Sequence, residues 1–151
     1  MTTVAVTTKW RREIMLMSDL SIIVRGGHIY SSRKLTEYGI GAAEEYILMY
    51  LMGNSEANQD QVARFFMLDK GSVARSLAKL ESKGFIVRRV NNVNQREKVI
   101  SLTEKALGLK EALSELLVEW RKAMYEGMTE GEIEVFEKTA EKIADNVTKI
   151  L

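Results

Sequence analysis

The segment of residues 69–102 limits the fold sharply, because its apolar pattern changes there from the period of a helix to that of a strand. Val73, Leu77 and Leu80 share one helical face, the latter two within about 40° of Val73. The opposite face is polar and basic and carries Gly71, Ser72, Arg75 and Lys79. Since glycine and serine are small, the start of this helix can approach another surface closely. The helix is expected to bury one face and to present the other to a partner.

Two β-rich runs follow this helix directly. They extend over residues 85–90 and 98–102 and flank the asparagine-rich residues 91–95, a pattern typical of a hairpin. Asp69 is a favourable N-cap for the helix, and Gly84 suits the left-handed position after its end. The sequence therefore predicts a helix over residues 69–84 that is joined at once to a polar hairpin.

The sequence before this segment predicts three further helices. Apolar residues recur at helical spacing in the first, at Trp10, Ile14, Met17, Leu20 and Val24. This helix is expected to falter near Gly26–Gly27 and to resume to about Leu35, and a second should span residues 41–52. A third begins at a capping box of Asn58 and Gln61 and ends near Phe66. Its expected inner face is Val62, Met67 and either Phe65 or Phe66.

The sequence after the hairpin predicts two helices that suit a dimer interface. Thr103 caps the first, whose apolar stripe is Leu109, Leu113, Leu116, Trp120 and Met124. Thr129 and Glu132 form a capping box that starts the second. Its apolar residues are spaced by three and four positions: Ile133, Phe136, Ala140, Ile143, Val147 and Ile150. Such a narrow seam is typical of a coiled coil and favours a partner chain over packing within its own chain.

These elements predict a mainly α fold with a small β-hairpin wing, a winged helix-turn-helix with N- and C-terminal dimerisation helices. In this architecture one helix fits the major groove of DNA and the hairpin reaches the flanking backbone or minor groove. The expected divisions are an N-terminal dimerisation helix at residues 1–35, a DNA-binding lobe at residues 36–103 and C-terminal dimerisation helices at residues 104–151. A chain of 151 residues, 46% of them hydrophobic, can bury one core.

The formal net charge of +1 conceals two regions of opposite charge. Residues 70–98 hold eight basic and two acidic residues, whereas residues 111–145 hold four basic and ten acidic residues. A solvated surface could also be basic, but here the charges lie opposite an apolar stripe and beside a hairpin. The pattern therefore favours a module that binds a polyanion and is attached to a helical scaffold.

The composition argues against an enzyme. The chain has no cysteine, and His28 is its single histidine, which excludes thiolate chemistry and sites built mainly from imidazoles. No glycine-rich phosphate loop or metal-ligand cluster is present in the sequence, so no cofactor and no metal are expected. The sequence contains no apolar run of about 18 residues and no secretory leader pattern, which predicts a cytoplasmic protein without a membrane anchor.

Four motifs carry a resemblance to a known family. They are Asn58-Gln59-Asp60-Gln61-Val62-Ala63, Leu68-Asp69-Lys70-Gly71-Ser72-Val73-Ala74-Arg75, Leu80-Glu81-Ser82-Lys83-Gly84-Phe85-Ile86 and Arg96-Glu97-Lys98-Val99-Ile100-Ser101-Leu102-Thr103-Glu104-Lys105. Through them the stretch of residues 35–109 resembles the MarR family of multiple-antibiotic-resistance regulators. The flanking helices fit the family's dimerisation region by position and amphipathicity. The resemblance implies a homodimeric regulator of transcription that binds a roughly palindromic double-stranded DNA site, and a repressor is expected.

The resemblance also implies roles for individual residues. The expected DNA contacts on the basic helix are Lys70, Gly71, Ser72, Arg75, Ser76 and Lys79. Arg96 corresponds to the arginine of the wing. The family usually places an aspartate two residues before this arginine, where this chain has Asn94, and a basic residue at the position of Gln95. The wing is therefore less charged than is usual in the family.

Members of the family commonly lose DNA affinity when a small aromatic or anionic compound binds between the dimerisation helices and the DNA-binding lobe. The resemblance therefore implies an effector of this kind, for which the expected contacts are Arg25, His28, Tyr30 and Arg33. His28 on its own favours a partly buried packing role over a ligand-binding one. The large side chains of the early helices are expected first in the core and only secondarily in a pocket: Trp10, Tyr30, Tyr46, Tyr50, Met15, Met17, Met49 and Met52.

Two other classes of function compete with this interpretation. A winged helix can serve as a protein-interaction module without a dedicated operator, its basic face docking on an acidic protein. A steep dependence of DNA affinity on salt would favour the regulator over that module. A hydrolase or transferase is the third alternative and is disfavoured by the missing catalytic residues.

Overall fold

A computed structural model describes residues 2–94 and 97–151, with side chains from residue 10 onward. The chain forms two compact units, of which the first ends at Leu116 and the second runs from Leu117 to Leu151. The elements of the first unit are α1 (Thr2–Leu35), a 3₁₀ turn (Thr36–Tyr38), α2 (Ala42–Gly53), α3 (Gln59–Phe65), α4 (Lys70–Ser82), β1 (Ile86–Val90), β2 (Lys98–Leu102) and α5 (Glu104–Leu107). Helix α6 (Lys110–Met124) crosses into the second unit, which also contains α7 (Glu130–Ile150).

Two helices differ from the sequence prediction. Helix α1 does not falter at Gly26–Gly27 but continues for 34 residues, because a glycine costs a helix only about 1 kcal/mol and the flanking turns sustain it. The helix predicted after Thr103 is divided into α5 and α6 at residues 108–109. Thr103 caps α5 through its side-chain oxygen, as predicted, and its hydroxyl also donates to the Gly84 carbonyl at 2.7 Å. This second bond ties the short helix to the base of the hairpin.

The predicted caps of the helix-turn-helix are confirmed. The side chain of Asn58 accepts from the Gln61 amide at 2.8 Å, and the Gln61 side chain accepts from the Asn58 amide at 2.8 Å. Asp69 accepts from the Ser72 amide at 2.8 Å and so begins α4. After α4 the chain turns at Gly84, whose φ of +76° explains the glycine predicted there.

The hairpin is a two-stranded antiparallel sheet in which Ile86 faces Leu102 and Val90 faces Lys98. A further bridge joins β2 to the loop before α3. The amide of Ala57 donates to the Ile100 carbonyl at 3.1 Å, and the Ile100 amide donates to the Ala57 carbonyl at 2.7 Å. The sheet is therefore anchored to the helix-turn-helix as well as to the end of α4.

The core of the first unit lies where α2, α3 and α4 meet the sheet and the start of α6. Its fully buried side chains include Ile47, Leu48, Leu51, Val62, Val73, Leu77, Leu80, Ile86, Ile100 and Leu113. Of the two phenylalanines considered for the inner face of α3, Phe66 is half-buried and Phe65 is 66% exposed, so Phe66 is the inner one. Met67 was expected inside but is exposed, because it takes φ +50° in the turn between α3 and α4.

The apolar residues near the start of α1 are also outside the core, contrary to the expectation for Trp10, Met15 and Met17. Trp10 is 65% exposed, and its helical stripe remains uncovered at Ile14, Met17, Leu20 and Val24. In the second unit the end of α6 meets α7 through the Arg121–Glu137 ion pair and the Tyr125–Phe136 ring contact. Thr129 and Glu132 form the predicted capping box of α7, but no residue of that helix is buried.

Candidate nucleic-acid interface

Helix α4 separates its two faces cleanly. Val73, Leu77 and Leu80 are wholly buried, so they fix the rotation of the helix about its axis. The residues predicted to contact DNA lie away from that core: Lys70, Gly71, Arg75 and Lys79 are exposed, and Ser72 and Ser76 are half-buried. The helix can therefore offer a continuous polar and basic surface without disturbing its packing.

The first turn of α4 holds the guanidinium of Arg75 close to the helix start. One Nη atom of Arg75 donates to Ser72 Oγ at 2.8 Å. A Cβ atom added at Gly71 would lie 3.2 Å from the Asp69 carboxylate and 3.4 Å from the other Arg75 Nη, so a larger residue there would press on the Asp69 carboxylate. Hydrogen bonds from the side chain and backbone of Ser72 lower the pKa of Asp69. The cap is therefore charged at neutral pH.

Helix α3 supports the same turn through two side chains that the sequence interpretation did not assign. The Gln59 amide donates to the Lys70 carbonyl at 3.1 Å, which ties the first residue of α4 to the first residue of α3. Lys70 Nζ lies 3.0 Å from Asp60 Oδ1, and both side chains are largely exposed. The motif Asn58-Gln59-Asp60-Gln61 contained both residues, but only folding brings them next to Lys70.

The wing presents its two strand arginines differently. Arg89 is exposed, whereas Arg88 is half-buried and paired with Glu81 at the end of α4, with 2.9 Å between Arg88 Nε and Glu81 Oε2. At the tip the side chain of Asn91 accepts from the Val93 amide at 2.9 Å. Asn94 is exposed, and its carbonyl accepts from the Glu97 amide at 3.0 Å. Arg96, the predicted wing arginine, lies outside the described residues, as does Gln95.

The C-terminal end of α4 is fixed to α2. Lys83 Nζ donates to the Gly39 carbonyl and to Glu44 Oε2, each at 2.6 Å, and the Glu44 side chain is buried. Lys105 Nζ donates to the Lys83 carbonyl at 2.7 Å from the start of α5. Two of the basic residues in the segment 70–98, Lys83 and Arg88, therefore bind carboxylates of the same chain. Sequence charge counting cannot separate these residues from free surface cations.

A family model described as the MarR family matches residues 38–97. Over those residues the chain is similar to the MarR family. The match begins in the turn before α2 and ends just before β2, so it covers both faces of α4 and the first strand of the hairpin.

Solved MarR structures share the fold well beyond that region. A MarR transcriptional regulator from Methanosarcina mazei Go1 is 26% identical, with a TM-score of 0.84 over 91% of this chain and 99% of that chain. A putative MarR-family regulator from Listeria monocytogenes, solved with 26mer DNA, is 21% identical, with a TM-score of 0.85 over 88% of this chain and 89% of that chain. A mutant of MarR from E. coli, solved with operator DNA, is 19% identical, with a TM-score of 0.78 over 89% and 96% of the two chains.

The four residues predicted from the resemblance to contact an effector all lie on α1 but do not form one cluster. His28 is half-buried, and its Nε2 lies 2.5 Å from the Tyr46 hydroxyl on α2. Tyr30 is also half-buried, with the ammonium of Lys34 5.6 Å from its ring centre. Arg25 and Arg33 are exposed, and Arg25 Nε donates to the Ser21 carbonyl of its own helix. His28 is therefore placed inside a helix contact, while the two arginines face solvent.

A buried carboxylate that the sequence interpretation missed lies beside His28. The Ser31 hydroxyl donates to Glu45 Oε2 at 2.6 Å, and both side chains are buried between α1 and α2. Burial raises the pKa of Glu45, and the bond from Ser31 and the nearby His28 partly offset this effect. Glu45 follows another acidic residue at the start of α2, a position that normally indicates a solvated helix N-terminus, so no sequence signal marked it as buried.

Neither a metal cluster nor a membrane-spanning helix appears in the part of the chain that the structure describes. Within residues 2–94 and 97–151, no three histidine, aspartate or glutamate side chains stand close enough to hold a metal ion. Over the same residues, every helix is too short or too polar to cross a bilayer.

Proposed function

We propose that this MarR-type chain is a sequence-specific regulator that binds double-stranded DNA through α4 and the wing. One observation carries the proposal: α4 buries one face completely and leaves its polar, basic face exposed beside a two-stranded hairpin. Its 13 residues give a length of about 20 Å. An exposed helix of this kind suits the major groove, which is about 12 Å wide. The Listeria and E. coli proteins of the same fold were solved with DNA, which supports this assignment.

Individual roles follow from the positions on α4. Arg75 is proposed to read a base, because its guanidinium stands at the leading end of the helix and can bond a guanine edge twice. Lys79 lies one turn later and is proposed to position the helix on the phosphates. The remaining proposed contacts at the helix start and on its exposed side are Lys70, Gly71, Ser72 and Ser76. Arg96 is proposed to reach the minor groove from the wing.

The functional unit is proposed to be a homodimer. On α1, the apolar stripe from Trp10 to Val24 stays exposed, and on α7 the seam residues Ile143 and Val147 are 55% and 41% exposed. Stripes of this regularity are stabilised when a second helix covers them. A two-fold dimer would place its recognition helices about 34 Å apart in successive major grooves, which requires a roughly palindromic site.

Repression relieved by a small effector is the further part of the proposal. It rests on the MarR resemblance and on the polar contacts that His28 and Tyr46 make between α1 and α2. An aromatic carboxylate such as benzoate can be tested as the probe, with release of labelled DNA as the readout. His28→Ala should weaken that release if this region holds the effector. The protein is expected to act in the cytoplasm, where it has access to DNA.

Selection of bound genomic fragments, followed by affinity measurements across salt concentrations, tests the proposal. A regulator should enrich one palindromic sequence, and the logarithm of its affinity should fall steeply with the logarithm of salt. Binding without sequence preference, or binding only to an acidic protein, would favour the interaction module instead. The dimer is tested separately by Ile143→Asp, which should shift the sedimenting species towards monomer and weaken DNA binding together.

A further inference from the structure

One ion pair joins the recognition helix α4 to the wing, which is defined here as the two strands β1 and β2. Glu81 lies in the last turn of α4, and Arg88 lies in the middle of β1. Arg88 Nε donates to Glu81 Oε2 at 2.9 Å, and its terminal Nη2 contacts the same oxygen. Two donors of one guanidinium on one carboxylate oxygen hold the strand at a defined angle to the helix.

The strand register explains why Arg88 points towards this partner. Side chains alternate between the two faces of a strand, so Arg88 shares a face with Ile86. It is paired across the sheet with Ile100, and both isoleucines are 1% exposed. Arg88 thus lies on the inner face of the hairpin together with these buried isoleucines, and its side chain is only 23% exposed. Arg89, one residue later, lies on the other face and is exposed.

The electrostatics agree with a lasting contact. The hydrogen bonds from Arg88 lower the pKa of Glu81, and those to Glu81 raise the pKa of Arg88. Lys98 on β2 adds a further positive field at Glu81. The contact therefore favours the charged form of both partners.

We propose that Arg88 is a positioning residue that acts through Glu81, and that it does not contact DNA phosphate. This inference rests on the proposed DNA-binding function and deepens it. A protein that binds DNA through two elements loses entropy if those elements move relative to each other before binding and are fixed by it. A contact that already fixes their relative position reduces this cost. The Ala57–Ile100 bridge holds β2 to the loop before α3, and the Glu81–Arg88 pair holds β1 to α4. Together they make α4 and the wing one rigid reading surface.

Variants with unchanged net charge test this role without altering the overall attraction to DNA. The Glu81→Ala/Arg88→Ala double variant removes the tie, and the Glu81→Arg/Arg88→Glu double variant reverses it. DNA affinity is measured by fluorescence anisotropy at several salt concentrations on the selected site. Urea unfolding of each variant reports whether the fold is retained. Arg89→Ala serves as the reference, because it removes a positive charge from the exposed face of the same strand.

The positioning role predicts that the double alanine variant loses about two- to fivefold in affinity, as expected for one partly exposed ion pair. Its salt slope should equal that of the wild type, because no phosphate contact is lost. The reversed pair should recover affinity to within about twofold of the wild type. Recovery by a swapped pair distinguishes positioning from a direct contact, since a glutamate at position 88 cannot bind phosphate.

Two results would overturn the inference. A salt slope that falls by about 0.9 in both double variants would show that Arg88 neutralises one phosphate. An unchanged affinity in the double alanine variant would show that the tie has no role in binding. If the reversed pair does not fold, the slope of the double alanine variant still decides between contact and positioning. Failure of the wild type to bind DNA in a salt-dependent way would instead refute the proposed function.

Discussion

Helices α4 and α7 have similar sequence patterns but very different surroundings. Both begin at a side-chain cap, and both carry apolar residues at helical spacing opposite charged ones. The stripe of α4 is buried within its own unit, with Val73, Leu77 and Leu80 at 0% exposure. No residue of α7 is buried, and Ile143 is 55% exposed. Amphipathicity therefore predicts that a stripe will be covered, but it does not predict which chain covers it.

The difference follows from how many elements surround each helix. Helix α4 contacts α2, α3 and β1 in the first unit, so its apolar face is enclosed by its own chain. In the second unit the end of α6 contacts α7 through the Arg121–Glu137 ion pair, the bond from the Tyr125 hydroxyl to Glu137 and the Tyr125–Phe136 ring contact. The stability of α4 should thus depend on intrachain packing, and that of α7 on association.

The largest expected effect is the loss of a buried side chain from α4. Leu77→Ala should lower the free energy of unfolding by about 2–5 kcal/mol, because it leaves a cavity in a fully enclosed site. Urea denaturation followed by circular dichroism measures this change. Val135→Ala on α7 is the control, since Val135 is 66% exposed and should change stability by no more than about 0.5 kcal/mol. Equal losses in the two variants would contradict the contrast between the helices.

The second prediction compares exposed basic residues of α4 with one of α7. Arg75→Ala should cost about 1–3 kcal/mol of DNA-binding free energy and relax the preference at one base pair in each half-site. Lys79→Ala should weaken all sequences about equally and reduce the salt slope by about 0.9. Lys142→Ala on α7 removes the same charge from a residue that is not among the proposed DNA contacts and should leave the sequence preference unchanged. A preserved preference in Arg75→Ala would show that this arginine does not read a base.

The third prediction compares the same kind of cap in the two units. Asn58→Ala should lower the free energy of unfolding by about 1 kcal/mol, because the Gln61 amide loses its acceptor in a helix that belongs to the core. Thr129→Ala removes the hydroxyl oxygen that accepts from the Glu132 amide at the start of α7. Amide hydrogen exchange should then rise locally in this helix. A global loss for Thr129→Ala at low protein concentration would indicate that α7 is coupled to the core without a partner.

The fourth prediction concerns the wing. Asn94→Asp should change DNA affinity by less than about tenfold, because an exposed ion pair is worth about 0–1 kcal/mol. Arg96→Ala removes the proposed groove-reaching cation itself and should cost more. Anisotropy measurements of both variants at two salt concentrations make the comparison. A larger effect of Asn94→Asp would mean that order in the wing controls binding more than the charge of Arg96.

The smallest expected effect is a change in the pH dependence of stability, and it compares a buried carboxylate with an exposed one. Burial raises the pKa of Glu45 above its ordinary value of 4.5, so the folded state holds this proton more tightly than the unfolded state does. The stability linked to Glu45 is therefore fully present below that value and is lost as the pH rises through the raised pKa. Glu45→Gln should remove this loss of stability with rising pH. The midpoint of urea unfolding should therefore change less between about pH 4 and about pH 7 in the variant than in the wild type. Glu141→Gln removes one exposed carboxylate from α7 and serves as the control for the loss of a charge.

Several parts of the fold could be predicted because their causes are local. A cap needs one side chain and an amide three residues away, and a hairpin needs two β-rich runs around turn residues. Asn58, Asp69, Thr103 and Thr129 were therefore assigned correctly as caps, and so was the left-handed glycine at position 84. The expected end near Leu35 is confirmed, but the interruption expected at Gly26–Gly27 was wrong, because two glycines weaken a long helix without ending it.

The sequence by itself determined the order of elements, the buried face of α4 and its basic opposite face, since these follow from residue type and helical period. Only the tertiary structure decided which charges remain available for a partner. Arg88 and Lys83 belong to the basic block in the sequence, but folding brings Glu81 and Glu44 to them from other elements. Glu45 and Ser31 likewise meet across 14 residues of sequence. Electrostatic partners depend on distance in space, which a residue pattern along the chain does not contain.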